Sequence, residues 1–141
     1  MKKLAPIILF TYKRLDTLKT TIQFLKKNKL ANQSNIYIYS DFYKSDSDKR
    51  NVLKVRKYLK SIEGFNRKKI IFRKKNYGLA ENIINGVGEV LKSNTKAIVL
   101  EDDIKVSRYF LDYMNQTLNL YKNKKKIWHI SGWNYNVKVS N

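Results

Sequence analysis

Leu4-Ala-Pro-Ile-Ile-Leu-Phe10 is an unbroken apolar run that ends at Thr11-Tyr-Lys-Arg14. Successive side chains of a strand point to opposite faces, so a sheet with one wet face alternates apolar and polar residues. A run that is apolar throughout needs cover on both faces, as in a parallel sheet sandwiched between helices. The following segment supplies such a cover: Leu15, Leu18, Ile22 and Leu25 recur at helical spacing, with Asp16 available as a cap.

The alternation continues along the chain. Asn35–Ser40 reads as a second strand. Ser45 and Asp48 form a capping-box variant that opens a helix with the stripe Val52, Val55, Leu59 and Ile62, stopped near Gly64. Lys69–Arg73 is the third strand. Leu79, Ile83, Val87 and Leu91 mark a third helix, which Gly86 and Gly88 weaken. Ala97–Leu100 is the fourth strand, Tyr109–Tyr121 an amphipathic helix capped by Ser107, and Ile127–Ile130 a fifth strand. Repeated βα units joined by right-handed crossovers predict an α/β fold: a mainly parallel, doubly wound, Rossmann-like sheet with helices on both faces. No internal repeat, low-complexity tract or linker divides residues 1–141.

Composition narrows the function classes. The chain has no cysteine and one histidine, His129, which excludes disulfides, thiolate metal sites and a multi-histidine zinc site within one chain. His129 sits in an apolar run and reads as a core histidine. The N-terminus has a signal-like charge, but its apolar stretch is short and no small-residue cleavage site follows. No stretch reaches the roughly 20 apolar residues that span a bilayer. A cytoplasmic location is expected, with peripheral contact to an anionic inner membrane face as an option. Thirty Lys and Arg against eleven Asp and Glu give a formal net charge of +19. Such a charge attracts nucleic acid, anionic lipid or phosphorylated substrate. The lysines are scattered, however, and the longest basic run is Lys124–Lys126, which reads as a solvated surface.

Against that basic background, Glu101, Asp102 and Asp103 follow one another at the end of the fourth strand. Adjacent carboxylates at a strand mouth repel each other and lose hydration unless a cation answers them. Mg²⁺ or Mn²⁺ would suit oxygen ligands shared with substrate phosphates; pairing with lysines, or a plain acidic turn, is the structural alternative. Ligands of open α/β sheets bind beyond the carboxyl ends of the strands. Thr11–Arg14, Asp41, Arg73–Gly78 and Glu101–Asp103 all fall at that edge, where they would form one crevice.

Pro6-Ile-Ile-Leu-Phe-Thr-Tyr-Lys-Arg14, Tyr39-Ser-Asp41, Asn76-Tyr-Gly-Leu-Ala80, Val99-Leu-Glu-Asp-Asp103 and Ile130-Ser-Gly-Trp-Asn134 occur here in order. This set resembles nucleotide-sugar glycosyltransferases of the GT-A fold. It is most similar to enzymes related to the N-acetylglucosaminyltransferases of N-glycans and to bacterial relatives that build surface polysaccharide. The resemblance implies transfer from a UDP-sugar to a saccharide or glycolipid acceptor, with Mn²⁺ or Mg²⁺ and inversion at the anomeric carbon. Asp103 would bind the metal, while Glu101 and Asp102 would meet sugar or ribose hydroxyls and metal-bound water. Asp41 would accept the uracil N–H, and Arg14 would lie by base and diphosphate. Thr11 and Tyr12 would border the nucleotide, and the turn carrying Asn76 and Gly78 would line the pocket. Tyr12 and Tyr77 suit crevice walls as well as base or sugar contacts, and Trp133 suits core packing more than sugar stacking.

One departure qualifies the resemblance. Family enzymes continue into a second half that holds the acceptor site and the general base, whereas this sequence stops at Asn141. Asp112, Glu81 and Glu89 lie in or near helices and none is marked as a base. The expectation is a nucleotide-binding half of the GT-A domain, lacking the acceptor-binding half and not necessarily active alone. Two other classes fit less well. A nucleotidyltransferase would carry a glycine-rich phosphate loop, which Thr11-Tyr-Lys-Arg14 is not. A nucleic-acid- or anionic-surface-binding module would explain the charge but not the acids at the strand edge.

Overall fold

The structure, a computed structural model, describes residues 3–133. Four strands and four α-helices alternate: β1 (Ile7–Thr11), α1 (Leu15–Lys26), β2 (Asn35–Ser40), α2 (Asp46–Lys60), β3 (Arg67–Phe72), α3 (Gly78–Leu91), β4 (Ile98–Glu101) and α4 (Phe110–Leu120). The strands form one parallel sheet in the order β3-β2-β1-β4. β1 is central and all five of its residues are buried, as its unbroken apolar run requires.

Topology divides the core in two. The steps β1–α1–β2 and β2–α2–β3 move one way, and β3–α3–β4 moves back past β1, so right-handed crossovers put α3 on the opposite face from α1 and α2. One core cluster joins Ile7, Leu9, Ile36 and Ile38 of the sheet to Leu18, Ile22 and Leu25 of α1, Val55 and Leu59 of α2, and Leu111 of α4. The other joins Ile8, Phe10 and Tyr39 to Val90 of α3. The chain reverses its winding between β1 and β4, and this switch point positions the site.

Several local expectations change. Asp16 lies in the first turn of α1, where its charge complements the helix dipole, and Arg14 occupies the capping position without a side-chain cap bond. Ser45 does precede α2, but its hydroxyl donates to Asp48 (3.2 Å) instead of accepting a backbone N–H. Ser107 Oγ accepts the N–H of Tyr109 (3.3 Å), just ahead of α4. β3 begins two residues before the expected Lys69.

The buried face of α3 follows the expected stripe only in part: Ile83 and Val87 pack against the core, Leu79 and Leu91 are exposed, and the buried residues are Asn82, Gly86 and Val90. Gly86 explains the rotation. A Cβ there would stand 2.7 Å from the Phe10 ring and 3.2 Å from Tyr39, so the helix backbone rests directly on two aromatic rings.

The fifth strand is absent among the described residues. Residues 127–130 make no ladder with β4; they share a groove with Val87, Ala97, Val99 and Leu118. Four apolar residues read alike as a strand or as an irregular strap across an apolar surface, so pattern alone could not decide. Consequently His129 is exposed and not a core residue. Trp133 is 66% exposed, against the core role expected of it. Asn134 of the quoted motif lies outside the described residues.

Candidate functional site

A crevice of about 370 Å³ opens at the carboxyl ends of β1, β2 and β4, a size suited to a small-molecule ligand. Thr11, Tyr12, Arg14, Asp41, Asn76, Gly78, Glu101 and Asp102 all line it. Asp103 does not; it faces the outer side of α1, in a depression with Asp16, Thr17 and Lys105. The edge foreseen from the sequence thus gathers eight of the nine candidate residues in one cavity.

The three acids have different surroundings. Asp102 is 3% exposed. Its Oδ2 accepts Thr11 Oγ1–H (2.8 Å) and the Tyr12 N–H (3.2 Å), and its Oδ1 accepts Arg14 Nη2 (2.7 Å). These bonds fasten the end of β1 to the end of β4. Arg14 extends its other nitrogen, Nη1, to the half-exposed Asp103 (2.9 Å). Although partial burial works against its charge, Asp102 and then Asp103 hold the Arg14 guanidinium above its ordinary pKa. The Glu101 carboxylate has no hydrogen bond or ion pair among the described residues, and the residue borders the cavity.

Asp41 is buried, and the loop before α3 uses nearly all its capacity. Its Oδ1 accepts Phe42 N–H (2.8 Å) and Tyr77 N–H (3.0 Å), and its Oδ2 accepts Gly78 N–H (2.9 Å) and Asn76 Nδ2 (3.2 Å). Amides at the first turn of a helix lack intrahelical partners, and a carboxylate stabilises both them and the positive end of the dipole. Gly78, at φ +72°, makes the turn that aims these amides at Asp41. An incoming N–H would have to displace one of these donors.

Sequence reasoning missed several groups that build the walls. Arg56 of α2 donates from Nη2 to the carbonyl of Arg73 (2.7 Å) and stacks on Phe42 and Phe72, bracing the ends of β2 and β3. Burial lowers its pKa below the usual guanidinium value. Tyr12 donates to Asp48 (2.8 Å) and accepts the Lys44 N–H (2.8 Å), so its hydroxyl is used in tying two loops together. Lys44 joins the cavity lining through that link. Asn82 also lines the cavity; the one sequence signal was its spacing, four residues from Gly78 and four from Gly86.

The sequence model of the GNT-I family matches residues 1–141. The chain belongs to the GNT-I family. Its place in this glycosyltransferase family agrees with the crevice at the switch point and with the ordered motifs that surround it. Two solved structures of S. aureus TarS resemble this GNT-I family chain in fold. One is 14% identical with a TM-score of 0.60, over 84% of this chain and 20% of its own. The other, TarS 1-349, is 11% identical with a TM-score of 0.54, over 83% and 33%. The chain therefore spans a fifth to a third of the length of the TarS structures it matches. No curated protein sequence gives a significant match. No helix among the described residues is long and apolar enough to cross a membrane.

Proposed function

We propose that this chain binds a UDP-sugar and a divalent cation as the donor-binding part of a glycosyltransferase that serves a saccharide or glycolipid acceptor. The observation that carries the reading is the division of labour in the acidic triplet: Asp102 is spent on structure, while Glu101 is unpartnered among the described residues and Asp103 is half-exposed. Membership of the GNT-I family supports it.

The residues present fit the cation in one way only. No group of three potential ligand side chains occurs among the described residues, so an all-protein cage is not available. Mg²⁺ and Mn²⁺ sites on nucleotide enzymes commonly need one or two carboxylates, with phosphates and water completing the shell. Glu101 borders the crevice and would supply one such carboxylate; Asp103 would supply the other only by turning in from its own depression and exchanging Arg14 for the metal. When bound, the cation would stabilise charge on the diphosphate leaving group. Arg14 would add a fixed positive charge beside it.

Glu81, Glu89 and Asp112 do not line the crevice, so no carboxylate is assigned as the base that inverting transfer needs. The direct test is isothermal titration of the chain with UDP in Mn²⁺ and in EDTA. Saturable binding that weakens at least tenfold in EDTA is expected; equal affinity in both would remove the cation, and no binding would remove the nucleotide.

A further inference from the structure

We infer that Asn82 selects the base of the bound nucleotide, its amide N–H donating to the 4-keto oxygen of uracil and turning away the 4-amino group of cytosine. This rests on the nucleotide reading above and goes beyond it by naming the group that tells UDP from CDP.

Asn82 is 3% exposed, on the inward face of α3, and lines the crevice. Its Oδ1 accepts Arg73 Nε–H at 3.0 Å. A guanidinium offers donors only, so the amide must present its oxygen to Arg73 and its Nδ2 elsewhere. Arg73 itself is held fast. Its side chain is 10% exposed, Nη1 donates to Glu89 at 2.8 Å, and its Cζ lies 4.9 Å from the ring centres of both Tyr39 and Tyr77. Flipping the amide would set its NH₂ against a donor and leave two buried groups unpaired.

Nδ2 has no hydrogen-bond partner among the described residues, yet it is not one of the fully enclosed unpartnered atoms, which are Thr21 Oγ1 and Arg73 Nη2. It therefore opens on the crevice that its side chain lines. A nearly buried amide with a locked orientation and a free N–H calls for an acceptor from the ligand.

The surroundings favour a planar base over a phosphate as the source of that acceptor. Phe10 and Leu79 supply apolar wall on this side. The cations of the crevice, Lys13, Arg14 and Lys44, come instead from the loops after β1 and β2. Asp41, the other polar group near the start of α3, has its oxygens engaged by four donor groups. Uracil presents a carbonyl oxygen where cytosine presents an amine, so a fixed donor discriminates between them as an unlocked amide could not.

The test is the ratio of UDP to CDP affinity by isothermal titration, on the wild-type chain and on Asn82→Asp and Asn82→Ala, each checked for folding by circular dichroism. The wild type should prefer UDP at least tenfold. Asn82→Asp keeps the shape and the Arg73 contact but places an acceptor where Nδ2 was, so the preference should vanish or reverse. Asn82→Ala should bring the ratio near one. A residue that merely shaped α3 would weaken both nucleotides together and leave the ratio intact. Folded variants that keep the wild-type ratio would overturn the assignment. Should neither variant fold, 4-thio-UDP, a poorer acceptor at the same position, must bind the wild type more weakly than UDP; equal affinity overturns it. Equal UDP and CDP binding by the wild type would sink base selection while leaving the nucleotide reading in place. Binding of neither would remove both.

Discussion

The two walls of the crevice differ in how much of their polar capacity is already spent. On the α3 side, Asp41 and, behind the wall, Arg73 and Glu89 are bonded to neighbouring protein groups, and the amide NH₂ of Asn82 is left for a ligand. On the β4 side, Asp102 is spent, while the Glu101 carboxylate borders the crevice unbonded among the described residues and Asp103, just outside it, is half-exposed. The difference teaches that carboxylates side by side in sequence need not share a role. Burial divides them, because an enclosed acid must be fully hydrogen-bonded and an exposed one need not be.

The sharpest way to break the comparison is Asp102→Ala. It leaves Thr11, the Tyr12 N–H and Arg14 without their acceptor, and a loss of about 2–4 kcal/mol is expected once the half-exposure of Arg14 is discounted. Urea unfolding of variant and wild type measures it. A loss below about 0.5 kcal/mol, the range of ordinary surface changes, would show that Asp102 does not fasten β1 to β4.

A smaller effect tests the groups behind the opposite wall. Glu89 is held below the ordinary carboxylate value of about 4.3: burial alone would raise it, but the hydrogen bonds from Arg73 and Tyr39 prevail. A depressed pKa contributes stability that is present above the unfolded value and lost as pH falls through the folded one. Between pH of about 5 and 3, the wild type should therefore lose stability more steeply than Glu89→Gln. Parallel urea midpoints across that window would separate Glu89 from the Arg73 lock.

Asp103→Asn should disturb the fold least. Among the described residues its side chain has one partner, a half-exposed arginine, so stability should move by no more than about 1 kcal/mol. In the same variant, the difference in UDP affinity between Mn²⁺ and EDTA should disappear. A folded variant that keeps that difference would return Asp103 to the surface and leave Glu101 as the remaining candidate ligand.

Much of this arrangement was legible in the chain. The apolar run into Thr11 announced a central parallel strand, and polar clusters after successive strands announced a shared edge, since a parallel sheet sends all its strand ends the same way. The α3 face was read only half correctly, Ile83 and Val87 packing inward and Leu79 and Leu91 not, because a periodicity search counts apolar side chains and a glycine of that helix rests directly on the Phe10 and Tyr39 rings. The segment 127–130 was misjudged because four apolar residues carry the same pattern in a strand and in a strap.

By itself the sequence determined the order of elements, the handed winding that follows from it, and which residues stand at the ligand-binding edge. Those properties depend on local spacing and on chain connectivity. Only the tertiary structure decided which carboxylates are spent and which are available, that Arg73 fixes the Asn82 amide, and that Asp41 is engaged with the turn before α3. Each of these depends on burial and on hydrogen bonds between residues far apart in the chain. Such a bond is set by where side chains meet in space, and spacing along the sequence does not encode that meeting.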